Sequence, residues 1–206
     1  MKKLCFLLCS LFLINLFNIE LTIAQEDNLL LNPSFEDGEN RFDPWTAEGI
    51  ATYIWTQPWH AYKGNWAFSI GNDLEWAYDG SWGCIFQVLV DPGNPQNLFP
   101  VIQGDTFTFE MRMMIEKGYK GKAGLKIEFF DYDRRLGFKG KPLDSFRSAI
   151  CKEKNIGQWL RYRVKGLVPE GTVSVTVFCM SEDMPKGSKY VFFDAGVVTI
   201  TPALLL

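Results

Sequence analysis

Apolar and polar residues alternate at every second position along much of this chain, in short runs that end at turn-forming residues. Eight such runs cover residues 50–55, 66–70, 83–90, 105–116, 123–130, 158–165, 172–180 and 190–200. Proline and glycine separate several of them and supply the fixed or positive φ angles of turns at 91–95, 117–118, 169–171 and 185–187. This pattern predicts a β-sandwich or barrel with almost no helix.

The N-terminus has the features of an export signal. Lys2 and Lys3 precede an apolar run at 4–17, and the small-residue sequence Thr22-Ile23-Ala24 follows it. We therefore predict a signal peptide at 1–24 and a single domain at 25–206 that is secreted, periplasmic or held at the cell surface. An uncleaved membrane anchor is the alternative. No later apolar run is as long, so we expect no transmembrane span after cleavage.

The charge of the chain is modest, with a formal net value of −3. This charge does not suggest a nucleic-acid partner. We also expect the protein to be a monomer. Basic residues collect in two predicted loops, at 117–122 and 134–141, and Arg134 is among them. We interpret these side chains as solvated; contact with an acidic glycan is the alternative.

Three of the five cysteines lie beyond the predicted signal peptide, namely Cys84, Cys151 and Cys179. In an oxidising compartment they allow one disulfide and leave one thiol over. Each lies in a strand-like run, in phase with apolar neighbours such as Phe86 and Val177. We therefore expect three buried, unpaired thiols, with a single disulfide as the alternative.

Four short segments carry a family resemblance. They are Asn32-Pro33-Ser34-Phe35-Glu36, Pro44-Trp45-Thr46, Lys63-Gly64-Asn65-Trp66-Ala67-Phe68 and Tyr190-Val191-Phe192-Phe193-Asp194. Together they resemble the carbohydrate-binding modules of the family 4/9/22 type, over residues 28–200. The resemblance implies an all-β, galactose-binding-domain-like jelly-roll β-sandwich of two antiparallel sheets. It also implies that Trp45 lies in the core, and we expect the two ends of the domain to meet.

The same resemblance implies a structural Ca²⁺ ion that joins the N-terminal turn to the last strand. Glu36 and Asp194 match the family's acidic ligands, and Ca²⁺ takes several oxygen ligands at once. Where the family often has a second acid after the latter, this chain has Ala195. The alternative is that both acids serve only turns and hydrogen bonds.

Alternation also assigns residues to the two faces of each strand. Phe107, Phe109, Met111 and Met113 are predicted to face the core, as are Leu125, Ile127 and Phe129. The outward set is predicted to form one row on one sheet, consisting of Gln87, Glu110, Arg112 and Glu128. In the resembling modules such a row lines a sugar-binding groove. An ordinary solvated face with cross-strand ion pairs is the alternative.

Aromatic side chains at strand ends and in loops form a second group of candidates for sugar contact. They are Trp55, Trp59, Trp76, Tyr78 and Trp82. Loop aromatics are exposed unless they fold back, and their flat faces suit the C–H patches of pyranose rings. Capping of the sandwich by these loops is the alternative.

Catalysis has little support in the sequence. His60 is the only histidine and has no nucleophile motif nearby. Glu110 and Glu128, on successive predicted strands, are the one carboxylate pair considered for glycoside hydrolysis. We therefore predict a module that binds a polysaccharide or oligosaccharide without chemistry. The alternatives are an adhesive or structural surface protein with protein partners, and a small glycoside hydrolase.

Overall fold

A computed structural model describes residues 28–37, 43–55, 61–74, 77–152 and 156–203, with side chains except at 52–55. The predicted signal peptide and His60 lie outside these residues. The strands are β1 Thr46–Gly49, β2 Thr52–Trp55, β3 Phe68–Asn72, β4 Ser81–Val88, β5 Val90–Asp91, β6 Asn94–Leu98, β7 Thr106–Ile115, β8 Lys122–Phe130, β9 Asp144–Arg147, β10 Leu160–Leu167, β11 Ser174–Met184 and β12 Ser188–Thr201. A 3-10 helix covers Arg134–Leu136.

The strands form two five-stranded antiparallel sheets and a small hairpin. The front sheet has the order β1-β4-β11-β8-β9, and the back sheet has the order β10-β7-β12-β3-β2. Strands β5 and β6 form the hairpin across the turn predicted at 91–95. From β10 onward the chain changes sheet with every strand, and β7 and β8 also lie in different sheets. The predicted all-β jelly-roll β-sandwich is confirmed.

The core lies between the two sheets and contains the predicted inward sets of β7 and β8. Phe107, Phe109 and Met113 meet Leu125 and Ile127 there, all with essentially no exposed surface. Trp45 is also buried and packs against Phe35, with ring centroids 5.5 Å apart. Burial of so many large apolar side chains is the main force that holds the two sheets together.

The two ends of the domain meet, as expected. The Leu29 amide donates to the Val198 carbonyl at 3.0 Å, and the Gly196 amide donates to the Pro33 carbonyl at 2.8 Å. At this point β12 has a bulge between Asp194 and Val197, where Ala195 has a φ of 52°. The bulge turns the Asp194 side chain toward the loop at 61–66.

Four strands were absent from the sequence prediction: β1, β5, β6 and β9. The sequences of β6 and β9 are almost wholly polar, and β9 is an edge strand that pairs only with β8. Edge strands do not need an alternating apolar face, so the period-two signal is missing there. The three cysteines are buried and unpaired, which confirms that prediction. Within the described ranges, no helix has the length and apolar character needed to cross a bilayer.

Candidate functional site

The predicted row of four polar side chains does not lie on one sheet. Gln87 on β4 and Glu128 on β8 belong to the front sheet, whereas Glu110 and Arg112 on β7 belong to the back sheet. The prediction is wrong because the chain crosses from one sheet to the other between β7 and β8. Alternation assigns the faces of a single strand, but it does not say which sheet that strand joins.

The Gln87 side chain faces inward, whereas the sequence predicted that it faces outward. Its side chain is only 2% exposed, where it accepts from the Leu31 amide and donates to the Leu31 carbonyl, both at 2.8 Å. Gln87 therefore ties the N-terminal segment to the front sheet. Its neighbours Phe86 and Val88 face outward instead. Strand β4 buries Ile85 on its inner face and Phe86 on its outer face, so its sequence gives no clear contrast between inside and outside.

The other three members of the predicted row take part in intramolecular contacts. The Arg112 guanidinium lies 4.8 Å from the centre of the Tyr62 ring, and Glu110 forms ion pairs with two arginines of β10. Glu128 pairs with Lys126 at 2.8 Å. Of these contacts, the two Glu110 pairs are cross-strand ion pairs, as in the alternative of ordinary sheet faces, whereas Lys126 and Glu128 lie on the same strand.

The outer surface of the front sheet, which we call the front face, is unusually apolar. Trp82, Cys84, Phe86 and Val88 occupy alternate positions of β4, and Phe178 on β11 pairs with Phe86. The Phe86 and Phe178 ring centroids are 5.5 Å apart. Most of these side chains are buried, but Trp82 is 44% exposed. The front face thus has a covered apolar floor with one accessible indole at its edge.

Two cations cover the aromatic floor. The Lys126 ammonium lies 4.3 Å from the centre of the Phe178 ring, and the Arg134 guanidinium lies 4.7 Å from the centre of the Phe86 ring. Both are within the range of a cation–π interaction. A ligand on this face would therefore meet charged donors above the buried rings.

A cleft of about 410 Å³ opens at this end of the front face. It is lined by Leu31, Pro44, Thr46, Glu48, Phe86, Val88, Val90, Pro95, Arg134, Arg135 and Gly137. Its volume is within the range of small-ligand pockets. The cleft joins the β1 edge of the front sheet to the 3-10 helix, so it draws on segments that are distant in sequence.

Arg134 is the central polar group of this cleft and is only 4% exposed. Its guanidinium lies 4.7 Å from the centre of the Phe86 ring and 5.5 Å from that of Phe138, and Nη2 donates to the Glu48 carboxylate at 3.0 Å. Within the described part of the chain, its Nε has no hydrogen-bond partner. The expectation of a solvated Arg134 is therefore wrong, because Glu48 and the aromatic rings offset its removal from water. No sequence signal links Glu48 to Arg134, since 86 residues separate them.

Cys84 lies on the same face and pairs in register with Glu48. Burial, with a smaller contribution from the Glu48 charge, raises the pKa of this thiol to about 12. The thiol is thus protonated at neutral pH and is a poor nucleophile.

The predicted loop aromatics are described only in part. Tyr78 is exposed in the loop before β4, and its carbonyl accepts from the side chains of Asn72 and Ser81. Trp59, Trp76 and the side chain of Trp55 lie outside the described residues. Trp82 is therefore the predicted aromatic that the structure places on the front face.

The two predicted metal ligands, Glu36 and Asp194, both accept hydrogen bonds from backbone amides of the loop at 61–66. The amides of Tyr62 and Lys63 donate to Asp194 Oδ2 at 2.7 and 2.8 Å, and two further amides of this loop donate to Glu36 Oε1. Burial, and to a lesser extent the charge of Glu36, raises the pKa of Asp194 to about 6.

These residues fit a Ca²⁺ ion in part. Two carboxylates approach the same loop, and each would be stabilised by a nearby cation. However, each already accepts backbone N–H groups, and the described residues contain no group of three or more His, Cys, Asp or Glu placed to hold a metal. Any ion here would need backbone carbonyl ligands as well.

No protein-family model and no curated protein matches the sequence. Solved structures do match. The TmCBM61 module in complex with β-1,4-galactotriose is 18% identical with a TM-score of 0.54, over 84% of this chain and 99% of that one. The CBM22-1 xylan-binding domain of Paenibacillus barcinonensis Xyn10C is 14% identical with a TM-score of 0.51, over 86% and 97%.

Enzymes also share this fold. A Stig cyclase from Fischerella sp. TAU is 13% identical with a TM-score of 0.55, over 85% of this chain and 98% of that one. The enzymatically active domain of bacteriophage CBA120 tailspike protein 4 is 14% identical with a TM-score of 0.57, over 84% of this chain. The chain spans only about a fifth of the tailspike structure, 21%. The fold is thus the β-sandwich that carbohydrate-binding modules share with several enzyme domains.

Proposed function

We propose that this protein is an exported, non-catalytic module that binds a neutral polysaccharide or oligosaccharide on its front face. The observation that carries the proposal is the exposed Trp82 indole on the same face as the cleft of Phe86, Arg134 and Glu48. Aromatic faces stack on sugar rings, and charged side chains bind hydroxyl groups.

The dimensions of the front face suit an extended ligand. Trp82 and Phe86 are four residues apart on one strand, which corresponds to about 13 Å. A chain stacked on Trp82 could thus reach the cleft that Phe86 and Arg134 line. The cations that cover the aromatic floor are each balanced by a carboxylate, in the pairs Arg134–Glu48 and Lys126–Glu128. This balance is why we propose a neutral glycan.

Glu110 and Glu128, the two carboxylates considered for glycoside hydrolysis, lie on different sheets. Glu110 lies on the outer face of the back sheet and Glu128 on the outer face of the front sheet. Packed sheets are about 10 Å apart, and these side chains point in opposite directions. They cannot flank one glycosidic bond at the separation of about 5 to 10 Å that the reaction needs.

One observation favours the adhesive alternative. Leu136 and Phe138, beside the cleft, are each 67% exposed. Exposed apolar side chains next to a groove are common at protein interfaces. A protein partner on the front face is therefore the second candidate.

Affinity electrophoresis through a panel of neutral glycans, with analysis for released sugars, tests the proposal. We expect at least one glycan to retard the protein without product release. Trp82→Ala should abolish the retardation, whereas Tyr62→Ala, which removes an exposed ring over Arg112 on the back sheet, should not. Released sugar would indicate a hydrolase. Equal retardation of wild type and Trp82→Ala would contradict a site on the front face.

A further inference from the structure

The back sheet carries a basic surface on its outer side. Arg161, Arg163 and Lys165 occupy alternate positions of β10 and all point outward. The arginine side chains are 56% and 52% exposed. Such a cluster stands out because the whole chain has a formal net charge of −3.

These cations line a shallow cavity of about 290 Å³, which we call the back-face cavity. Its lining consists of Thr108, Glu110, Arg161, Arg163, Lys165, Val197, Thr199 and Thr201. Three cations and one carboxylate give these side chains a net charge of +2. The threonines add hydroxyl groups, which can exchange hydrogen bonds with sugar hydroxyls.

Glu110 shows what kind of group this cavity accepts. Its carboxylate receives Arg163 Nε at one oxygen and Arg161 Nη2 at the other. Two guanidinium groups thus already converge on one carboxylate and are held in place by it. Each guanidinium has five N–H donors, and about half of each side chain is exposed, so donors are left for a second carboxylate.

The cations also have a regular spacing. Successive outward positions on a β-strand are about 7 Å apart, so Lys165 continues the row from Arg161 and Arg163 along β10. A row of fixed cations matches a polymer with regularly repeated carboxylates better than it matches one small anion.

We propose that the back-face cavity binds a carboxylate-bearing polysaccharide, a polyuronate, through Arg161, Arg163 and Lys165. This site lies on the opposite side of the sandwich from the front face and does not depend on the proposed neutral-glycan site. A protein with both sites could contact two different polymers of one glycan matrix.

Isothermal titration with polygalacturonate, and with the same polymer after full methyl esterification, tests the proposal. We expect the free acid to bind, and to bind more weakly with added salt, and we expect the ester not to bind Trp82→Ala, which lacks the front-face site for neutral glycans. The double variant Arg161→Gln/Lys165→Gln should weaken binding about tenfold, because each lost exposed ion pair accounts for up to about fivefold. Arg163 remains in this variant to pair with Glu110, and thermal melting checks its fold.

Two control variants distinguish binding in the back-face cavity from binding elsewhere on the domain. Lys117→Gln/Lys120→Gln removes the same two positive charges from an exposed turn and should leave polygalacturonate binding unchanged. Trp82→Ala should also leave polygalacturonate binding unchanged. The proposals for the front face and for the back-face cavity can thus be contradicted separately. Absence of polygalacturonate binding, or equal binding of the acid and the ester by Trp82→Ala, would overturn the proposal. If dextran sulfate and single-stranded DNA bind with the same affinity as polygalacturonate, the proposal is also overturned, because the surface would then attract any polyanion.

Discussion

The ion pair between Glu48 and Arg134 gives the sharpest test of the cleft, because its two partners differ in exposure. The Arg134 side chain is 4% exposed, whereas that of Glu48 is 40% exposed. Glu48→Gln leaves a buried guanidinium without its counter-ion. Breaking a fully buried pair in this way costs about 3–5 kcal/mol. The glutamine oxygen and the Phe86 and Phe138 rings still stabilise Arg134, so we expect a loss of about 2 kcal/mol.

Removal of the other partner should cost less. In Arg134→Met, water can solvate the Glu48 carboxylate, and the methionine can pack against the Phe86 and Phe138 rings in place of the arginine. We expect a loss of about 1 kcal/mol, mainly from the cation–π contacts. In this background the further change Glu48→Gln should cost no more than about 0.5 kcal/mol, because no buried charge remains to be left unpaired.

Urea unfolding of the four proteins in this double-mutant cycle measures both costs. The expected coupling is about 1.5 kcal/mol, the difference between the cost of Glu48→Gln with and without Arg134. An equal cost of Glu48→Gln in both backgrounds would show that Arg134 does not depend on Glu48 for its charge balance, contrary to this prediction.

Four further predictions concern the rest of the domain. Gln87→Ala should lower the free energy of unfolding by about 2 kcal/mol, since two Leu31 backbone groups lose their partner. The control Gln158→Ala, at an exposed position, should change it by no more than about 0.5 kcal/mol. Equal effects of the two changes would contradict the inward position of Gln87. With a chelator present, the free energy of unfolding should fall by up to about 3 kcal/mol as the pH rises from about 4 to 6. The reason is that the pKa of Asp194 is raised from 3.8 to about 6 in the folded protein, so folded Asp194 holds its proton more tightly than the unfolded chain does. Asp194→Asn should remove this dependence in urea titrations. If Glu36 helps to hold Ca²⁺, chelation should lower the Tm of the wild type but not of Glu36→Ala, and an equal shift in both would exclude that role. Thiol titration should find three free cysteines after denaturation without reductant and few before it; a single one would show a disulfide.

Sequence patterns predicted the elements with strong alternation and missed what depends on long-range pairing. Strands β7 and β8 were found with the correct inward residues, because a buried face imposes a period of two. Their assignment to opposite sheets was not predictable, because it depends on pairing with β12 and β11, far along the chain. The predicted polar row failed at this step.

The candidate site was predicted in the same partial way. Exposure of Trp82 followed from its place at a strand end beside a loop. The burial of Arg134 did not, because its loop has no periodicity and its partner Glu48 lies in a short, mostly exposed strand. Gln87 was assigned to the wrong face because β4 buries apolar residues on both sides.

Amide NMR shift mapping can locate the glycan site on the domain, with the neutral oligosaccharide that gives the strongest retardation in the glycan panel as the probe. We expect the shifts to concentrate at β1, at Trp82 to Val88 of β4, and at 134–138, all around the front face. Shifts that concentrate on β7 and β10 would contradict it, and so would a panel in which no neutral glycan binds.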